Sequence, residues 1–168
     1  DEAVLRVGMD LRYPPFEMTE IGTDVPEGIS VDIAYALAYY LEREVEIVNL
    51  NFASLIPALN AGTIDIVIAS MSITEEREQS VDFTDPYFYF KIISLLNKDF
   101  ADTNDLTEDS TVDDILAING AEYIGIASQV STTIPESYGK DVEEAADLGT
   151  AILRVAQKNQ GDILLMSA

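Results

Sequence analysis

Three short runs of branched apolar residues, separated by segments with helical spacing, constrain this chain more than any other feature. The runs are VLRVGM (4 to 9), VEIVNL (45 to 50) and IDIVIAS (64 to 70), and each has the length and composition of a buried strand. The last is apolar almost throughout, as in a parallel sheet covered on both faces. Between the first two, Ile33, Ala34, Leu37, Ala38 and Leu41 recur at helical spacing, with Ser30 as candidate N-cap. Between the second and third lies FASLIPALNAG, read as a short helix ending at Gly62, with Pro57 tolerated near its first turn. The order β-α-β-α-β predicts an open α/β sheet with parallel strands.

The alternation pauses after residue 80. VDFTDPYFYFKIISLLNK predicts a strand, a turn at Asp85-Pro86 and a long extended segment, and DFADTNDLTEDST a polar surface loop or linker. It then restarts: TVDDILAI as helix, EYIGIA as strand, TTIPESYGK as a short helix, LGTAILRVAQKNQG as an amphipathic helix and DILLMS as strand. The reading is therefore two α/β lobes, residues 1 to 95 and 96 to 168. LIPALNAGTIDIVIASMS and ILRVAQKNQGDILLMSA share a helix, Gly, Asp-Ile, strand pattern. Two similar lobes explain it, and so does the general chemistry of helix-to-strand turns.

Composition removes several functional classes. The 168 residues include 9 Lys plus Arg against 31 Asp plus Glu, a formal net charge of -22, so nucleic acid is excluded as a partner by repulsion. With neither Cys nor His, thiolate and imidazole catalysis and the usual zinc sites are excluded. No metal site and no cofactor is expected. No apolar stretch approaches the length of a membrane span. The first ten residues, DEAVLRVGMD, lack the basic and apolar pattern of a signal peptide.

In a chain so poor in cations, ASMSITEER (69 to 77) stands out. Ligands of open α/β sheets bind beyond the carboxyl ends of the strands, where Ser70, Met71 and Ser72 fall. Thr74 can cap a short helix with Glu75 and Glu76 in its first turn, and Arg77 can then reach back over the strand end. A guanidinium there forks onto a ligand carboxylate, or it pairs with a surface Glu, the commoner arrangement. Asp10 also follows a strand and either meets a ligand or supports the Tyr13-Pro14 loop. Tyr13 and Phe52 can stack on a ligand, Phe16 reads as core, and Glu17 reads as a solvated loop residue. Ser131, Thr132 and Thr133 open a helix after a strand and can offer hydroxyls and N–H groups to an anion.

RVGMDLRYPPFE, FASLIPALNAGTIDIVIASMSITEEREQSVDFTDPYF and IGIASQVSTTIPESY together resemble the polar amino-acid class of bacterial extracellular solute-binding proteins, the periplasmic or lipid-anchored receptors of ABC importers. The resemblance runs in order along essentially the whole chain. It implies a two-lobed periplasmic-binding-protein-like fold with open, mostly parallel sheets that closes on its ligand by domain movement. It implies that Arg77 grips the ligand α-carboxylate together with Ser72 and the Thr132-Thr133 backbone. The Ser70 carbonyl would take the α-amino group, Tyr13 and Phe52 would sandwich the side chain, and Asp10 and Glu17 would lie near its far end. The implied function is capture of an amino acid, with a weak lean to a cationic one, for a membrane permease, and not catalysis.

This chain departs from the family in three places. Ser131 stands where a Gly usually precedes the two hydroxyl residues. Ser167 stands where an Asp usually holds the α-amino group. The family's chain also continues past DILLMSA, so the second lobe is expected to be incomplete, with its last strand uncovered. Two other functions share the scaffold: a cyclohexadienyl dehydratase, with Glu17 as its candidate general acid, and the ligand-sensing domain of a membrane receptor.

Overall fold

The computed structural model describes residues 3–157 and 160–167. The chain divides into two compact units, Asp1–Asp85 and Pro86–Ala168.

In the first unit, β1 (Val4–Met9) is the central strand, flanked in parallel by β5 (Glu44–Asn49) and β6 (Ile66–Val67). The intervening loop folds into a small antiparallel sheet of β2 (Arg12–Tyr13), β3 (Glu17–Thr19) and β4 (Pro26–Glu27), which sequence reasoning takes for a stiff loop. Helix α1 (Ile29–Tyr40) and helix α2 (Phe52–Asn60) make the two crossovers. Alternation along β1 serves both faces. Leu5, Val7 and Met9 pack with Val31, Ala34 and Ala38 of α1. Gly8 points the other way, against Leu55 of α2 and Ile64, where a larger side chain has no room. The expected helical face of α1 is present except for Leu41, which is exposed.

Three local expectations change. Ser30 does not cap α1. The N-cap is Gly28, at φ 121°, and the first donors of the helix are taken by main-chain carbonyls, Ile29 N by Pro15 O (3.2 Å) and Ser30 N by Phe16 O (2.8 Å). Pro57 lies in the second turn of α2, beyond the first turn where a missing N–H costs least. The strand expected over residues 64 to 70 keeps only Ile66–Val67 in register with β1.

In the second unit, β7 (Ile92–Leu96), β8 (Tyr123–Gly125), β9 (Val142–Glu144) and β10 (Ile163–Ser167) form one sheet in the order β7-β10-β8-β9. β7 runs antiparallel to β10 and the other pairs are parallel. The pairing of β7 moves the division between units to residue 85, ten residues earlier than the expected 95. No strand forms over residues 81 to 84. The acidic segment after β7 is a loop only from residue 104 to 111; its first part is helix, with Asn97 Oδ1 accepting from Asp99 N (3.0 Å) and Phe100 N (3.3 Å) at the start of α4 (Lys98–Thr103). Helix α5 (Val112–Leu116) begins at a capping box made by Thr111 and Asp114.

The final strand is not an uncovered edge. β10 lies between β7 and β8, with Ile163, Leu164 and Leu165 fully buried. Leu164 and Ile124 pack with Ala151 and Val155 of α7 (Leu148–Ala156), while Ile163, Leu165 and Tyr123 pack with Ile115 and Leu116 of α5. Burial of three consecutive residues follows from cover on both faces. The last residue of the expected second lobe, at position 168, lies outside the described residues.

Candidate functional site

In the first unit the carboxyl ends of β1 and β6 carry the candidate residues. Thr74 caps α3 (Glu75–Glu78), its Oγ1 accepting from Arg77 N at 3.3 Å. One turn of helix returns Arg77 toward the strand end, and its Nη1 donates to Ser72 O at 2.7 Å. The guanidinium carbon sits 5.4 Å from the centroid of the Phe52 ring. Half-burial lowers the Arg77 pKa from the ordinary arginine value, with Glu76 acting the other way, and the group stays protonated. A cation is thus held by a carbonyl and a ring face at a sheet edge, geometry suited to a carboxylate. Met71 and Ser72 are half-buried beside it.

Asp10 has a defined structural task. Its side chain is 10% exposed and each carboxylate oxygen is used. Oδ1 accepts from Arg12 Nε at 2.7 Å, and Oδ2 accepts from Arg12 Nη2 at 2.9 Å and from Phe52 N at 3.1 Å. The last bond caps α2, whose own N-cap residue, Asn51, makes no side-chain capping bond. Asn51 Oδ1 instead accepts from Arg12 Nη2 at 3.1 Å. Arg12 was not among the expected site residues. A cation two residues after an edge Asp is a signal the sequence does carry. Tyr13, half-buried, lies with its ring centroid 6.3 Å from that of buried Phe16, which is core as expected.

Glu17 is the largest correction. Expected as a solvated loop residue near the ligand, it is 1% exposed. It sits on β3, where Oε2 accepts from Ser30 Oγ at 2.5 Å and from Ser70 Oγ at 3.0 Å. Burial pushes its carboxyl up to about 7, the two serine hydrogen bonds oppose the shift, and Asp10 adds to it. Ser70 therefore holds an internal carboxyl with its hydroxyl, at a left-handed backbone φ of 50°. Sequence alone does not reveal this triad, because its members are 13 and 53 residues apart.

The second unit uses its hydroxyls differently. Helix α6 (Val130–Ser137) has Gln129 as N-cap, without a side-chain capping bond. Ser131 Oγ accepts from Ile126 N at 2.9 Å, and Thr132 Oγ1 donates to Ile126 O at 2.8 Å, so both buried side chains close the end of the β8 loop. The N–H groups of Thr132 and Thr133 both donate to Gln129 O at 2.9 Å. Of the three expected anion donors, only the Thr133 side chain is exposed. Ser167 ends β10, half-buried and paired across the ladder with Ile92.

Known proteins resemble this chain in sequence and in fold. An L-arginine-binding protein of Pseudomonas aeruginosa is 39% identical over 84 residues, 50% of this chain and 32% of that protein. A glutamine-binding protein of Geobacillus stearothermophilus is 33% identical over 165 residues, 95% of this chain and 59% of that protein. The chain thus spans about a third to three fifths of the length of these relatives. Among solved structures, an ancestral amino-acid-binding protein, a precursor of cyclohexadienyl dehydratase, superposes with a TM-score of 0.83 at 28% identity, covering 98% of this chain and 70% of that one. The model of one family matches residues 5–161, and the chain belongs to it: the bacterial extracellular solute-binding proteins, family 3.

Proposed function

We propose that this chain captures a small amino acid outside the cytoplasm, in the periplasm or tethered by lipid in the parent protein, and passes it to an ABC-type permease. The observation that carries the reading is Arg77, braced by Ser72 O at 2.7 Å and stacked at 5.4 Å over Phe52. The α-carboxylate of the ligand would meet the Arg77 guanidinium, and its side chain would lie against Phe52 and Tyr13. Relatives described as arginine- and glutamine-binding support the amino-acid class and leave its member open. Catalysis is the weaker reading. A dehydratase needs a general acid that reaches its substrate. Glu17, the candidate, is enclosed by Ser30 and Ser70.

Calorimetric titration with free amino acids tests the proposal. One-to-one binding of at least one, with Arg77→Ala weakening it by about 100-fold or more, is the expected result, because a desolvated carboxylate loses its charge-assisted fork. Binding unchanged in Arg77→Ala sinks the assignment. Turnover of prephenate or arogenate would favour the enzyme.

A further inference from the structure

Asn119 and Gly120 form the only Asn-Gly pair in the sequence. They stand in the turn between α5 and β8, both exposed, with Gly120 at φ 76° and open space where a Cβ would be. Among the described residues, neither the Asn119 carboxamide nor the Gly120 N–H has a hydrogen-bond partner. A carboxamide carbon and an unbonded main-chain nitrogen thus belong to neighbouring residues, and the second has no side chain to hinder their approach. The other described asparagines lack this freedom. Asn49 and Asn51 accept through Oδ1 from Leu11 N (3.3 Å) and Arg12 Nη2 (3.1 Å). Asn97 and Asn104 donate through Nδ2 to Val155 O and Phe100 O, both at 2.9 Å. Asn60 lies in α2, where the helix fixes its backbone. Asn159 lies outside the described residues, and the residue after it is Gln160 rather than Gly.

We propose that Asn119 is a modification site: it deamidates spontaneously, with water as the co-reactant, to aspartate and isoaspartate. The Gly120 nitrogen gives its proton to solvent base and attacks Asn119 Cγ. The N–Cγ bond forms, the Cγ–Nδ2 bond breaks, and Nδ2 leaves as ammonia after taking a proton from water. Water then opens the resulting succinimide ring at either carbonyl. Attack at Cγ gives aspartate in the ordinary chain. Attack at the main-chain carbonyl gives isoaspartate, in which the chain runs through the former side chain. Nothing is oxidised or reduced, and the new carboxyl releases its proton. Each event adds one negative charge to a chain already at -22. Isoaspartate also adds one carbon to the main chain between α5 and β8, whose Ile115, Leu116 and Tyr123 share a core, so the altered turn bears on the packing of the second unit. The inference does not depend on the binding function proposed above.

The experiment is incubation of the folded full chain at pH 6 and at pH 8, followed by ion exchange, fragment-ion sequencing and labelling with an isoaspartyl-specific methyltransferase. Circular dichroism verifies that the chain stays folded throughout. The expected result is a population with one added negative charge, located at residue 119 and carrying the isoaspartyl label. It should accumulate faster at pH 8, because the attacking nitrogen must first lose its proton. Asn119→Gln should not accumulate it, since the longer side chain does not close the five-membered ring. Should that variant fail to fold, the sequencing of the unaltered chain still decides. An unaltered chain that keeps its charge at pH 8 overturns the proposal. So does a change that maps first to another asparagine, or one that proceeds equally at both pH values.

Discussion

The two carboxyl edges of this chain hold similar residues and use them in opposite ways. In the first unit, hydroxyl and carboxylate groups from distant elements brace one another and leave a guanidinium over an aromatic ring. In the second, Ser131 and Thr132 turn inward and satisfy the two backbone groups of Ile126. The difference lies in what each strand end requires. β8 stops at Gly125, so Ile126 has no ladder partner; Ser131 supplies an acceptor for its N–H, and its C=O accepts from Gln129 N at 3.0 Å as well as from Thr132. Past the end of β6, a short segment leads to the capped helix α3, and Arg77 satisfies the Ser72 carbonyl with a charged group. A run of serines and threonines after a strand is thus equally a ligand grip or a loop closure. The unpaired backbone beneath it decides.

Glu17 offers the strongest test of that contrast, because it makes the first edge sensitive to pH. Its folded pKa of about 7 lies above the ordinary 4.5. Below the ordinary value both folded and unfolded states hold the proton, and the full stability is present. As pH rises from there to about 7, the unfolded chain releases its proton first, so stability falls, by about 3 kcal/mol in all, and then levels. Urea titrations of the chain from pH 4.5 to 8 should show this loss, and Glu17→Gln should flatten it. A slope unchanged in Glu17→Gln would mean that the triad with Ser30 and Ser70 does not control the edge.

A smaller effect is expected in the second unit. Ser131→Ala leaves the buried Ile126 N–H without its acceptor and should cost about 2 kcal/mol in denaturant melts. Thr132→Val keeps the shape, loses one of two donors to Ile126 O, and should cost about 1 kcal/mol or less, since Gln129 N still donates to that carbonyl at 3.0 Å. If either variant instead weakened ligand binding with no loss of stability, the second edge would be a grip like the first.

The smallest effect belongs to the opposite end of the first sheet. There Arg6 Nη2 and Nε fork onto Asp65 at 2.7 and 3.1 Å. The Arg6 hydrogen bonds, from side chain and backbone, hold the Asp65 carboxyl at about 2, below the usual carboxylate range. The pair is open to solvent, so its stabilising effect is slight; it is present above about pH 4 and fades as pH falls toward 2. Asp65→Asn should lower the melting temperature only marginally at pH 7, and not measurably at pH 2. A larger drop would show that the fork organises the start of β6.

The fold was legible where short-range pattern decides it. The alternation of VLRVGM, VEIVNL and IDIVIAS with two helical segments is enough for a parallel sheet, and β1, α1 and α5 fall where the apolar pattern places them. Legibility failed where the deciding partner is far along the chain. Ser30 has the composition of a cap, yet Pro15 O and Phe16 O already serve the helix end, which frees its hydroxyl for Glu17. Glu17 follows two prolines and looks like surface, until a strand from residue 26 and a serine at 70 enclose it. Helix α4 is hidden by acidic composition, and only the Asn97 cap marks it. The Thr74 cap and the return of Arg77 toward the strand end were readable because the two residues lie three positions apart. Arg12 was missed although its partner Asp10 lies two residues away; only the further contacts of that pair, with Asn51 and Phe52, are remote.

Ser70 meets two demands that few amino acids satisfy together. Its backbone sits at φ 50°, where side chains other than Gly, Asn and Asp are held at a cost of about 1 kcal/mol. Its hydroxyl must also be short enough to reach Glu17 at 3.0 Å. Glycine relaxes the first demand and forfeits the second. Aspartate accepts the backbone and sets a second acid against the first. The position is a narrow gate for descent with modification: a neutral path through it runs by way of Glu17, so change at residue 70 should wait on change at residue 17.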